Sequence, residues 1–151
     1  MKTPILVKSG LILLNVTVIS GYEALTFGFT KEFETTNYGD IYNGYRVGFN
    51  GWYFASDRQR LIEQINGGQS NYISTTKYLL QNGKTYLVGF MWRNNKIYMI
   101  YNGDIVLSYD VNAFNELYYV QLYVWGDGTH MTEYDINWIA ISFKEPIFTI
   151  L

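Results

Sequence analysis

Apolar and polar residues alternate with a period of two along most of this chain, the signature of a β-strand that buries one face. Between Leu11 and Ile19 the residues Ile12, Leu14, Val16 and Val18 form an apolar face, with Asn15 and Thr17 opposite. Leu25, Phe27 and Phe29 repeat the pattern within residues 22–30, as do Tyr45, Val47 and Phe49, and then Tyr118, Val120, Leu122 and Val124. Turn signals separate these segments at Asn43-Gly44, Asn50-Gly51, Asn66-Gly67-Gly68, Asn82-Gly83, Asn94-Asn95, Asn102-Gly103 and Gly126-Asp127-Gly128. Asn and Gly tolerate the positive φ of tight hairpin turns, which most residues resist. Short strands at such spacing predict an all-β fold, a two-sheet antiparallel sandwich of jelly-roll type.

The stretch from Lys84 to Asp110 sharpens the picture. Tyr86, Val88, Phe90 and Trp92 share one face, yet the other carries Leu87, Gly89 and Met91. A strand apolar on both faces belongs in the middle of its sheet. Asn94-Asn95 and Asn102-Gly103 then turn the chain into two further strands, 96–101 and 104–110. Most aromatics between residues 86 and 110 are therefore expected inside. The predicted core includes Trp92, Phe90, Val88, Leu107, Ile136 and Trp138. Ser56 to Ile65 could form a helix capped by Ser56 or Asp57, but a strand through Arg60 to Asn66 accounts for the same residues and is preferred. The opening "MKTPILVKSGLILLNVTVISG" has the basic start and small-residue end of a signal peptide. Lys8, Ser9 and Gly10 interrupt its apolar run, so two strands meeting at Ser9-Gly10 are expected instead. Neither a repeat nor a linker divides the chain, and residues 1–151 read as a single domain.

Composition changes this picture at few points. Aromatic residues make up 19% of the chain, which suits pleated, half-buried surfaces and could also supply stacking platforms for a ligand. Net charge is −2, without long runs of either sign, so no footprint for nucleic acid is present. No run reaches the roughly 18 apolar residues of a membrane helix. There is no cysteine, which rules out disulfides, thiolate catalysis and cysteine metal sites while leaving the compartment open.

"GKTYLVGFMWRNNKIYMIYNGDIVLSYD" (83–110) resembles the central meander of concanavalin A-like lectins and glucanases, including laminin-G-like modules. The resemblance rests on Tyr101-Asn102-Gly103 followed by the strand Ile105 to Tyr109, on "EYDINWIAISF" (133–143) as a closing strand, and on "ALTFGF" (24–29). It implies a jelly-roll sandwich and leaves function open, because such folds host lectins, hydrolases and structural modules.

Candidate chemistry is sparse. Glu133 and Asp135, two residues apart, lie on one face of a strand at about 6.5–7 Å. Glycosidases need carboxyls at about 5 to 9.5 Å, so the spacing is permissive. The glucanases of the resembled superfamily add a second Glu two or three residues on, where this chain has Asn137 and Trp138. The pair is expected to be solvated, and the protein is not expected to be an enzyme. The sole histidine, His130, stands with Asp127, Glu133 and Asp135 in "WGDGTHMTEYD", but the oxygen-rich repeat of a Ca²⁺ loop is missing, and neither metal nor cofactor is expected. There is no Gly-x-Ser-x-Gly elbow, and neither "GFNGWYF" nor "YGDIYNGY" carries the Lys-Ser/Thr of a phosphate loop.

Sugar recognition needs an exposed ring beside polar groups, because a pyranose has apolar faces and polar edges. Trp125, Asp127 and His130 offer this in one loop; Tyr38, Asp40, Tyr42 and Asn43 offer it in another. The alternative for Trp125 is a plug at the end of the sandwich. The sequence thus supports a non-catalytic recognition module, with carbohydrate as partner. The second reading is a self-assembling sandwich subunit, of virion or surface-filament type, whose apolar termini "TPILV" and "EPIFTIL" dock by strand pairing. Both readings favour an extracellular surface or a virion, with no membrane insertion and no nucleic-acid partner.

Overall fold

The computed structural model describes residues 9–21, 24–30, 43–50, 60–67, 69–111, 119–124 and 131–142. Ten strands run through them: β1 (Gly10–Ser20), β2 (Leu25–Thr30), β3 (Gly44–Phe49), β4 (Arg60–Asn66), β5 (Gln69–Thr75), β6 (Thr85–Arg93), β7 (Lys96–Tyr101), β8 (Asp104–Asp110), β9 (Tyr119–Val124) and β10 (Glu133–Ser142). Two antiparallel sheets result, ordered β10-β1-β6-β7-β8 and β5-β4-β3-β2-β9. Among the described residues there is no helix, and hence none long and apolar enough to cross a membrane. Consecutive strands β2 to β5 lie in one sheet and β6 to β8 in the other. β9 and β10 then return to the outer positions, as a jelly roll requires.

Local chemistry explains most of these elements. Asn94 and Asn95 have φ of 51° and 57°, and Asn102 and Gly103 have 51° and 86°, so both two-residue hairpins have the twist that antiparallel strands prefer. The strand over Arg60–Asn66 prevails over the helix because Ile62 is fully buried and Gln64 nearly so, two residues apart, while β3 and β5 pair along both edges. β6 occupies the centre of its sheet, as its two apolar faces predicted: Val88, Phe90 and Trp92 are buried on one side and Met91 on the other.

The core lies between the sheets. Ile12, Leu14, Val16 and Val18 of β1 face Leu25, Phe29, Tyr45, Val47 and Phe49 of the other sheet, all buried. Phe29 locks the layers together, its ring 4.3 Å from Trp92 and 5.5 Å from Phe90, both edge-on. Trp92 in turn lies over Gly10, its Cα partner on β1; a Cβ there would stand 2.3 Å from the indole, so only glycine fits.

Several expectations need correction. Trp138 is not buried: 46% of it is exposed. Strict alternation placed it on the same face as Ile136, but β10 carries a bulge. Ile136 pairs with Val16, whereas Trp138 pairs with Asn15, and Asn137 is the extra residue between them. One inserted residue reverses the alternation, so Ile136 points inward and Trp138 outward. Leu107 and Ile136 pack against the core but stay only partly buried. In β9, Val120 packs against the core while Leu122 and Val124 are exposed by 40% and 38%, because this strand is the margin of its sheet. The strand expected before Ser9 and the Phe27 side chain lie outside the described residues.

Candidate recognition surfaces

Both predicted ligand segments adjoin the β5-β4-β3-β2-β9 sheet, and the one from Trp125 to His130 leads on to β10 of the other. The chain leaves the former sheet at Val124, towards Trp125, Asp127 and His130, and enters it at Gly44, after Tyr38, Asp40, Tyr42 and Asn43. Val124 pairs with Leu25, as does Phe49, so that exit lies at the Leu25 end of β2. Gly44 pairs with Thr30, at the opposite end. Five residue steps of about 3.3 Å separate the two anchor points, or roughly 17 Å. The topology therefore holds the two loops' anchors apart. Trp125, Asp127, His130, Tyr38, Asp40 and Tyr42 themselves lie outside the described residues.

Asn43 is described, and it has structural work. Its Oδ1 accepts a hydrogen bond of 2.8 Å from the backbone N–H of Gly67, in the turn between β4 and β5. Gly67 has a φ of +58°. The Asn43 side chain thus ties the entry of β3 to the neighbouring hairpin.

One register row of this sheet runs Gln121, Gly28, Arg46, Glu63, Tyr72, in which the side chains of Arg46 and Tyr72 are described. Tyr72 at its end is 53% exposed and Arg46 is half-buried. Gly28 leaves a gap in the row, since a Cβ there would meet the Tyr45 carbonyl and the Arg46 Cα. Tyr72 and Arg46 share this face, but Thr26, Gly28 and Thr30 beside them are buried, so only the Tyr72 margin is open to solvent.

The second sheet has a different outer face. Glu133 and Asp135 are exposed and two residues apart on β10, as the sequence led one to expect. Asp135 pairs with Thr17, and Glu133 with Ser20. Beside them a polar ladder crosses three strands. Asn137 Nδ2 donates to Asn15 Oδ1 at 2.8 Å and to Thr17 Oγ1 at 3.0 Å, and the hydroxyls of Thr17 and Thr85 share a bond of 2.8 Å. The exposed indole of Trp138 stands next to this ladder. Sequence reasoning identified Asn15 and Thr17 as the outward residues of β1 but missed the ladder and the indole. The signal that was lacking is the bulge, which depends on pairing with a strand more than a hundred residues away. Among the described residues no group of three His, Asp or Glu side chains could hold a metal ion.

Solved structures with this architecture include galectins. A tetrameric galectin from the ball sponge Cinachyrella sp. superposes with a TM-score of 0.64 at 11% identity, covering 91% of this chain and 96% of that one. CG-16, a homodimeric agglutinin from chicken liver, gives 0.60 at 9% identity, covering 93% and 96%. A toad ovary galectin, solved in complex with thio-digalactose, gives 0.57 at 11%, covering 88% and 89%. No protein-family model matches the sequence, and no curated protein matches it. At such identities the likeness is one of fold: this chain has a jelly-roll sandwich like that of these structures.

Proposed function

We propose that this chain is a non-catalytic recognition module that binds carbohydrate. The observation that carries the reading is the shared sandwich, which extends over about nine-tenths of this chain and of lectins that include one solved with a digalactoside. In this reading the ligand meets the loop from Trp125 to His130, where the indole stacks on a sugar face and Asp127 and His130 take its hydroxyls. The segment holding Tyr38, Asp40, Tyr42 and Asn43, which enters the sheet at its other end, is read as a second contact. Glu133 and Asp135 are surface carboxylates in this account, with no catalytic task. The test is a glycan array followed by titration of the best sugar, comparing wild type with Trp125→Ala. Binding that disappears in a variant of unchanged circular dichroism supports the loop, whereas no binding to any glycan sinks the proposal.

The second reading, self-assembly by strand pairing, has one observation in its favour. β10 is an edge strand whose outer side pairs with no described residue, and its Trp138 and Ile139 are both about half exposed. Edges of this kind pair with other chains unless blocked. Light scattering of the purified protein separates a monomer from an assembly.

A further inference from the structure

The ladder on the outer face of the β10-β1-β6-β7-β8 sheet leaves much of its hydrogen-bonding capacity available. A side-chain amide has two N–H donors and an oxygen with two lone pairs. Asn137 gives both donors to the sheet, one to Asn15 and one to Thr17, and this fixes its carboxamide plane. Its Oδ1 makes no bond with any described residue, and neither do the two donors of Asn15 Nδ2. Thr17 and Thr85 hold each other's hydroxyls in place. The result is a row of donors and acceptors already oriented, so a ligand that uses them meets little ordering cost.

Next to that row stands Trp138, 46% exposed, placed on this face by the bulge that also places Asn137 there. An exposed indole on a β-bulge costs hydration and adds nothing to the core, whereas beside oriented amides it completes a stacking site. From Trp138 on β10 across Asn15 to the β6 position is two strand spacings, about 10 Å, and from the Asn15 row to the Thr17 row is about 7 Å. That footprint fits one or two sugar rings. Charge narrows the ligand further. Asp135 is exposed beside Thr17, with Glu133 two residues on, and no Lys or Arg stands in the two rows. Carboxylates accept hydroxyl protons and repel anions.

We propose that Trp138, Asn137, Asn15, Thr17 and Asp135 form a contact site for a neutral oligosaccharide on the outer face of the β10-β1-β6-β7-β8 sheet. The ring of one sugar lies on the indole; its hydroxyls donate to Asn137 Oδ1 and Asp135 and accept from Asn15 Nδ2. The choice of ligand class rests on the recognition reading above, and the site itself rests on the bulge and the ladder.

The test uses the full chain on an array of neutral and sialylated glycans, with wild type, Trp125→Ala, Trp138→Ala and Trp138→Phe, each confirmed folded by circular dichroism. The best neutral oligosaccharide on the array is then titrated, with the indole N–H signals and the Asn side-chain amide signals followed by NMR. Expected are a loss of about tenfold or more in affinity for Trp138→Ala, a far smaller loss for Trp138→Phe, and weaker binding of the sialylated forms. The Trp138 indole and the Asn15 and Asn137 amides should move together. Unchanged affinity in Trp138→Ala, or preference for acidic glycans, overturns the site. Binding lost in Trp125→Ala alone overturns it while leaving the recognition reading intact; no glycan bound by wild type overturns both. A wild-type dimer that dissociates in Trp138→Ala, without any change in sugar binding, assigns the ring to self-association instead.

Discussion

Asn50 has a φ of 69° and is 1% exposed, an unusual position for a polar side chain. Its carboxamide reads the backbone of Leu80 as a neighbouring strand would, Nδ2 donating to the carbonyl at 3.0 Å and Oδ1 accepting from the N–H at 2.8 Å. Nδ2 also lies 3.3 Å from the Tyr134 hydroxyl. Asn50 follows β3 in one sheet, Tyr134 belongs to β10 in the other, and Leu80 sits on the crossing between β5 and β6, so one side chain joins both layers. Asn50→Ala leaves a buried N–H and a buried C=O unpaired and puts a Cβ-bearing residue without a local partner at positive φ. The expected loss is about 2–4 kcal/mol by denaturant unfolding. Asn50→Gly removes the same bonds but relieves the backbone, and should recover about 1 kcal/mol of that. A loss below about 1 kcal/mol for the alanine variant would mean that the amide is not the fastener described. The Asn50-Gly51 pair was legible in the sequence as a turn signal. Its second role was not, because nothing near residue 50 announces Leu80.

Strands and hairpins were the most readable elements. Alternation alone located β1, β3 and β6 and their inward residues, and Asn-Asn and Asn-Gly located the hairpins of the β6–β8 meander. The failures share a cause. Trp138, Leu122 and Val124 all stand on edge strands, where burial depends on one neighbour and on register rather than on pattern. The bulge in β10 makes a sharp prediction at this scale. Asn137 is an insertion opposite Asn15, so deleting it should restore ordinary pairing, with Ile136 still on Val16 and Trp138 still on Asn15. Deletion of Asn137 should therefore fold, with a change within about 2 kcal/mol reflecting the lost ladder bonds. Deletion of Ile139 has no such remedy, since it forces either Trp138 or Ile141 onto the wrong face, and it should melt at clearly lower temperature. Equal effects of the two deletions would contradict the pairing described. The candidate site followed the same logic: Asn15 and Thr17 were legible as outward positions of β1 and Asp135 as a solvated one on β10, but Trp138 was expected inside, and the meeting of these residues required a register that only the folded sheet supplies.

At the scale of the whole molecule, the sandwich has four edges among the described residues: β10 and β8 in one sheet, β5 and β9 in the other. They are not equally exposed to mispairing. β8 begins with Asp104 and ends with Asp110, and Lys96 holds Asp110 in a surface ion pair at 3.1 Å. β5 presents Asn71, Ser74 and Thr75. β10 is different: its first half carries Glu133 and Asp135, but from Ile136 to Ser142 it has no charge, and Ile139 is 49% exposed on the side of Leu14. An uncharged half-strand whose outer edge pairs with no described strand is the part of a sheet most able to accept another chain, and a single lysine is a common way to prevent it. Ile139→Lys should therefore dissolve any assembly while leaving the melting temperature nearly unchanged, because the side chain lies half in solvent already. Ile105→Lys on β8, 54% exposed, serves as the control and should leave the assembly state as it is. Light scattering on the three proteins at equal concentration decides the matter. An assembly that survives Ile139→Lys is built on some other surface, and a wild-type monomer removes strand pairing as a function and leaves recognition as the reading to pursue.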